Sequence, residues 1–210
     1  MEQQLSDPGF WPAILNLVLA ASVVMGSPGP ATMSVTALGA AFGLRRSLPY
    51  LSGIILGTSI VLLVVAGGLV SILLSVPRLG PLLLGLSVIY LIYLAFRIAT
   101  APPLSRSDPA SRAPRFRGGF LLAIANPKAY VAIAAVFAGT SLAVGSRLTE
   151  TILKTAVLAV MIVIIHGAWL LAGSSFARLL HRPSVSRVVN LLFAAVLLAS
   201  AIRPIVTMLP

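Results

Sequence analysis

Apolar residues run along this chain in six long stretches, cut apart by clusters of Pro, Gly and Arg. They extend from about Phe10 to Leu38, Pro49 to Leu74, Leu79 to Ala99, Gly118 to Val144, Ile152 to Phe176 and Val188 to Met208. Each is long enough to cross a hydrocarbon core of about 30 Å as a helix. Open strands are excluded in lipid, where their backbone groups would go unpaired. A polar stretch rich in Pro and Arg, Thr100 to Arg117, divides the six into two groups of three. The pattern predicts an all-α integral membrane protein with six transmembrane helices. Residues 1–99 form a first three-helix repeat, 100–117 a cytoplasmic linker and 118–210 a second repeat. With three spans per half, the repeats must be inverted relative to each other.

Composition agrees. Of 210 residues 59% are apolar and 9% charged, and mean hydropathy is +1.06. A soluble domain carries about 25% charged residues. Six spans of about 20 residues need roughly 120 apolar positions, which leaves little for any soluble domain. The chain has no Cys, which excludes a disulfide scaffold and Cys-based metal or redox sites. Its N-terminus carries Glu2 and Asp7 and no Lys or Arg, and its first apolar stretch is long, so a cleaved signal peptide is not expected.

The 15 Lys and Arg against 4 Asp and Glu give a net charge of +11. In a membrane chain such an excess marks cytoplasmic loops, and no nucleic-acid partner is expected. Ten cations fall in loops after odd-numbered stretches: Arg45, Arg46, Arg97, Arg106, Arg112, Arg115, Arg117, Arg178, Arg182 and Arg187. Four fall on the other side: Arg78, Arg147, Lys154 and Arg203. This bias predicts both termini outside.

The first stretch of each group is interrupted, by Ser27-Pro28-Gly29-Pro30 in one half and Asn126-Pro127-Lys128 in the other. Pro removes a backbone donor and clashes with the preceding turn, so the first helix of each repeat is expected to be broken. Paired breaks in two halves point to a transporter binding site. Pro28, Gly29, Pro30, Asn126, Pro127 and Lys128 are therefore the candidate substrate-binding residues. Lys128 is the one cation expected deep in the membrane, where a charge is costly and normally functional or paired. It serves either a substrate carboxylate or the carbonyls freed at the breaks. Asn126 either contacts substrate or caps a helix end. The hydroxyls of Ser27 and Thr32 are further polar groups at the site. His166 lies within the fifth stretch and is the proton-coupling candidate, against the plainer role of a neutral interhelical hydrogen bond. No cofactor, metal or catalytic residue is expected, since one His is too little for a metal site. Gly39-xxx-Gly43 and Gly53-xxx-Gly57 permit close helix packing, inside one chain or between copies in a homo-oligomer. Tyr90, Tyr93 and Trp169 either line a pocket or pack.

Pro28-Gly29-Pro30 followed by Gly39, Gly43 and Arg45-Arg46 resembles the LysE/RhtB family of amino-acid exporters. So does Phe116-Arg117-Gly118-Gly119-Phe120 leading to Asn126-Pro127-Lys128-Ala129. Tyr90-Leu91-Ile92-Tyr93-Leu94 and Arg187-Val188-Val189-Asn190 add weaker matches, and the similarity covers essentially the whole chain. The resemblance implies a bacterial inner-membrane secondary transporter exporting amino acids or related metabolites on the proton-motive force. Ala31 stands where such proteins usually have Asn or Asp, and Glu2, Asp7, Asp108 and Glu150 all fall in expected termini or loops. A neutral amino acid is then a more natural substrate than a dibasic one. The alternatives are a metal-ion exporter, a membrane thiol-redox carrier and a membrane-embedded enzyme. Zero Cys speaks against the redox carrier and the lack of intramembrane carboxylates against metal export. No cluster of catalytic groups marks an enzyme.

The charge bias makes a topological prediction. Reporter fusions after Leu5, Gly80, Gly145 and Pro210 should read outside, and fusions near Arg46, Asp108 and Arg182 inside. An N-terminus inside with a C-terminus outside would break the inverted repeat.

Overall fold

The computed structural model describes residues 9–68, 79–100, 114–142, 146–177, 187–196 and 198–199. All regular structure among them is helical. The helices are α1 (Phe10–Val24), α2 (Pro30–Phe42), α3 (Leu44–Ala66), α4 (Leu79–Ala99), α5 (Phe116–Ala125), α6 (Pro127–Gly139), α7 (Arg147–Ala177) and α8 (Arg187–Val196). α3 and most of α7 are long and apolar enough to cross a membrane, and α5 with α6 would make a third span bent by 61°. α1, α2 and α8 are shorter apolar helices. Residues 101–113 of the expected linker lie outside the described residues, as does the end of the last apolar stretch beyond residue 199.

Local chemistry sets the boundaries. Pro30 and Pro127 each open a helix, at the position where a missing N–H costs nothing and φ is already helical. Gly43 ends α2 at φ +77°, a left-handed conformation that glycine adopts freely, and α3 starts at the next residue.

α3 is the wall shared by two apolar cores. Tyr50, Leu51 and Ile54 pack with Leu38 and Phe42 of α2, Leu91 and Leu94 of α4, and Leu122 of α5. Further along, Val61, Leu62 and Val65 pack with Leu17 of α1, Ile133 and Val136 of α6, and Leu158 and Ile162 of α7. Large apolar side chains also face outward on most helices, among them Leu19, Leu63, Phe96, Leu121, Val131 and Val160. Such a surface fits lipid and would be an aggregation liability in water.

The small-residue stripes act within the chain. A Cβ on Gly53 would collide with the Phe116 carbonyl of α5, and one on Gly57 would stand 2.6 Å from the Ala123 methyl. From the other side, a Cβ on Gly119 would collide with the Tyr50 carbonyl. Backbones of α3 and α5 thus approach as closely as glycine allows. Gly39 faces Leu170 and Ser174 of α7 in the same way. Gly43 touches nothing at its Cβ position, so Gly39 and Gly43 are not a packing pair; the second serves the turn.

One expectation is corrected. Lys154, assigned to an outer loop, lies two turns inside α7 and is buried; Glu150, also assigned to a loop, sits in that helix's first turn. Their ion pair of 2.7 Å joins adjacent turns. The Lys154 ammonium also donates to the carbonyls of Phe137 and Thr140 and lies 5.3 Å from the Phe137 ring. It thereby satisfies the C-terminal end of α6, whose last carbonyls have no helical partner. Helical residues were mistaken for loop because the charges interrupted the apolar run.

Gly53→Ala should destabilise the folded protein by about 1–3 kcal/mol, the usual cost of overpacking. Gly85→Ala, where the added Cβ meets open space, should be neutral or mildly stabilising. Thermal unfolding of the two variants in detergent checks the contrast.

Candidate functional site

A break in an apolar helix frees carbonyls that must find donors. At the first break, Trp169 Nε1 of α7 donates to Gly26 O at 3.1 Å. The Lys128 ammonium supplies the rest, donating to Ser27 O at 2.6 Å, Ser27 Oγ at 2.9 Å and Pro28 O at 2.9 Å. Ser27 Oγ donates onward to Val24 O. Thr32 closes the start of α2: its Oγ1 accepts from Gly29 N and donates to Gly29 O. At the second break, Tyr130 Oη donates to Ile124 O at 3.0 Å. Asn126 Oδ1 accepts from Lys128 N at 3.2 Å, which makes Asn126 the N-cap of α6 as well as the residue ending α5. The two breaks therefore touch, through one lysine.

Gly29 lets the lysine pass close to the backbone. A Cβ there would stand 2.7 Å from Lys128 Cδ and 2.8 Å from Nζ. Its extended backbone needs no glycine; the approach of the lysine favours one.

Beside the breaks lies a cavity of about 40 Å³. Its lining includes Gly29, Ala31 and Thr32 from the first break, Asn126 and Lys128 from the second, Thr58 of α3 and His166 of α7. Of the residues expected at the site, Gly29, Asn126, Lys128 and His166 border this space. Pro28 is exposed and contributes its carbonyl to the lysine, while Pro30 and Pro127 shape the helix starts. His166 is buried, and its Nδ1 lies 2.8 Å from Ile162 O. A carbonyl only accepts, so Nδ1 carries the proton, and in the neutral ring Nε2 is an acceptor. Among the described residues no carboxylate lines the cavity. Glu150 is engaged with Lys154, the chain's other lysine.

Thr58 was not singled out by its sequence context, a lone threonine after Gly57 in an apolar run. It is 5% exposed, and its Oγ1 has no hydrogen-bond partner. Trp169 and Tyr130 were likewise not distinguishable from packing aromatics, since only the fold shows which carbonyls they meet.

Tyr93 borders a different, apolar space with Tyr90, Leu86, Ile89 and Leu121, and its hydroxyl accepts from Arg97 Nη1. A wider cleft of about 360 Å³ opens where the ends of α3 and α6 meet the start of α7. Arg147, Glu150 and Lys154 line it.

The bonds around Lys128 predict a coupled pair of substitutions. Lys128→Met leaves the Ser27 and Pro28 carbonyls without their donor and should destabilise the protein by on the order of 3 kcal/mol. Gly29→Ala should be harmful with Lys128 present and much milder in the Lys128→Met background. A double-mutant cycle on thermal stability should give a coupling of about 1 kcal/mol or more. Additive effects would mean that Gly29 does not act through the lysine.

Comparison with known proteins covers nearly the whole chain at family level: the sequence pattern of the LysE type translocators matches residues 22–207. No curated protein and no solved structure matches significantly. A chain with this match, apolar membrane-length helices and an outward-facing apolar surface is a multi-pass membrane transport protein, and it belongs to the LysE type translocator family.

Proposed function

We propose that the protein exports amino acids or closely related small metabolites from the bacterial cytoplasm across the inner membrane. The reading has six spans in two inverted repeats, residues 1–99 and 118–210, joined by a cytoplasmic linker over 100–117, with both termini outside. The observation that carries it is the Lys128 ammonium reaching from one helix break to the other, beside a cavity without a carboxylate. A broken-helix pair with a single unneutralised cation is suited to the carboxylate that all such substrates share. In this arrangement the three protons of Nζ are held by Ser27 and Pro28. The ammonium thus has two uses: it ties the breaks and sets a positive field at the cavity. Export is driven by the proton-motive force, with His166 as the proton-carrying group because its ring lines the same cavity.

Proteoliposomes test this. Vesicles loaded with a panel of amino acids should lose one subset through the protein, in the export orientation, and the loss should stop when the proton gradient is collapsed. Transport per assembled molecule should fall at least tenfold in Lys128→Met, the scale of one lost charge-assisted contact. Normal transport per molecule by that variant would show that the charge is dispensable. Absence of amino-acid movement in the wild-type protein would reject the substrate class.

A further inference from the structure

A buried hydroxyl without a partner forfeits its hydrogen bonds to water and stabilises nothing. Thr58 is such a group in the folded protein, and it borders the cavity shared by the two breaks. We infer that Thr58 Oγ1 is a binding group that donates to the carboxylate end of the transported molecule, in the cavity that Lys128 also borders. The inference rests on the transport reading above and names a contact within the same site.

The surroundings select an anion. Lys128 brings a positive charge that no carboxylate of the cavity lining offsets. Its three neutral acceptors satisfy its hydrogens and leave its charge in place. His166 keeps its Nδ1 proton on Ile162 O, so between proton transfers, when the ring is neutral, it offers the cavity no donor. Thr32 Oγ1 both accepts from and donates to Gly29. Asn126 has its oxygen engaged at the start of α6, which leaves its amide hydrogens as a second donor. The donor with no engagement at all is the Thr58 hydroxyl. Space agrees as well: the cavity has room for more than a single water, as a carboxylate needs.

Trp169 provides the readout, because its indole is bonded to Gly26 of the first break and the only other tryptophan is Trp11. With Trp11→Phe as background, acetate titrated into the purified full-length protein should shift Trp169 emission in a saturable way. Methylammonium should not. Thr58→Val, nearly isosteric but without the hydroxyl, should weaken acetate by about tenfold, while Thr58→Ser should restore most of the affinity. Thr58→Val should assemble at normal or raised levels, since it deletes an unpartnered buried polar atom. Acetate affinity unchanged by Thr58→Val, or a response to methylammonium in place of acetate, would overturn the assignment. So would no acetate response in the unsubstituted background. Saturable acetate binding that depends on Thr58, in a protein that moves no amino acid in vesicles, would keep this contact and reject the substrate class instead.

Discussion

The ammonium of Lys128 is the constraint on which the arrangement of the two breaks depends. Ser-Pro-Gly-Pro leaves an apolar helix with carbonyls that water cannot reach in lipid, and each unpaired group there costs several kcal/mol. A lysine is suited to the task, since its long stem spans the gap and its head carries three donors. All three are used, on Ser27 and Pro28. Gly29 follows from the lysine, because a side chain there would push the stem and its ammonium from their present place. Asn126 follows too, because capping the backbone N–H of Lys128 fixes the residue at the start of α6 from which the stem departs. Sequence features that look independent in the two halves are thus parts of one contact.

Around that contact the rigid elements divide the work. α3 cannot shift freely against α5, since Gly53, Gly57 and Gly119 bring the two backbones together with no side chain between them. α7 is held to α2 by the close approach at Gly39 and by Thr36 Oγ1, which donates to Trp169 O at 3.2 Å. Trp169 in turn holds the Gly26 carbonyl. Each broken helix therefore has one half docked on a long helix by backbone-level packing. The other halves, α1 and α6, pack along the long helices through apolar side chains such as Leu17, Ile133 and Val136, with polar ties at their ends only, Trp169 to Gly26 O and Lys154 to the Phe137 and Thr140 carbonyls. Contacts of that kind can slide and repack, whereas glycine-mediated contacts are lost outright when they move.

Much of the site was legible in the sequence because its parts are chemically loud. Proline inside an apolar run, a lysine without an acid and paired glycines each violate the composition of an ordinary membrane helix. Helix breaks and the cavity's lysine were read from such violations, and Gly53-xxx-Gly57 as a packing stripe whose partner, α5, only the fold supplies. Thr58 was silent, since one hydroxyl in an apolar helix is commonplace and its lack of a partner is a three-dimensional fact. Lys154 misled for the opposite reason: a charge beside Glu150 looks like the end of a span. The carbonyls of Phe137 and Thr140 that make its burial tolerable belong to a different helix. Pairing across elements is what a one-dimensional pattern lacks.

The same comparison bears on how a site can be both built and mobile. Lys154 has an acid beside it, so its charge is cancelled within one helix and the cap it forms on α6 is electrostatically closed. Lys128 has carbonyls and a hydroxyl only, so its hydrogens are satisfied while its charge is not. Any rearrangement that separates the two breaks must first release those three acceptors. A ligand can favour such a release only through the difference between its affinities for the joined and parted states. An anion is the ligand whose interaction with this lysine strengthens as the neutral acceptors leave, because a charge in a low-dielectric cavity is worth more to a charge than to a dipole. A cation would strengthen nothing on release. On the proposed transport reading, binding chemistry and motion would be linked through one residue, and the absence of an acid beside Lys128 among the described residues would make that link specific to anionic groups.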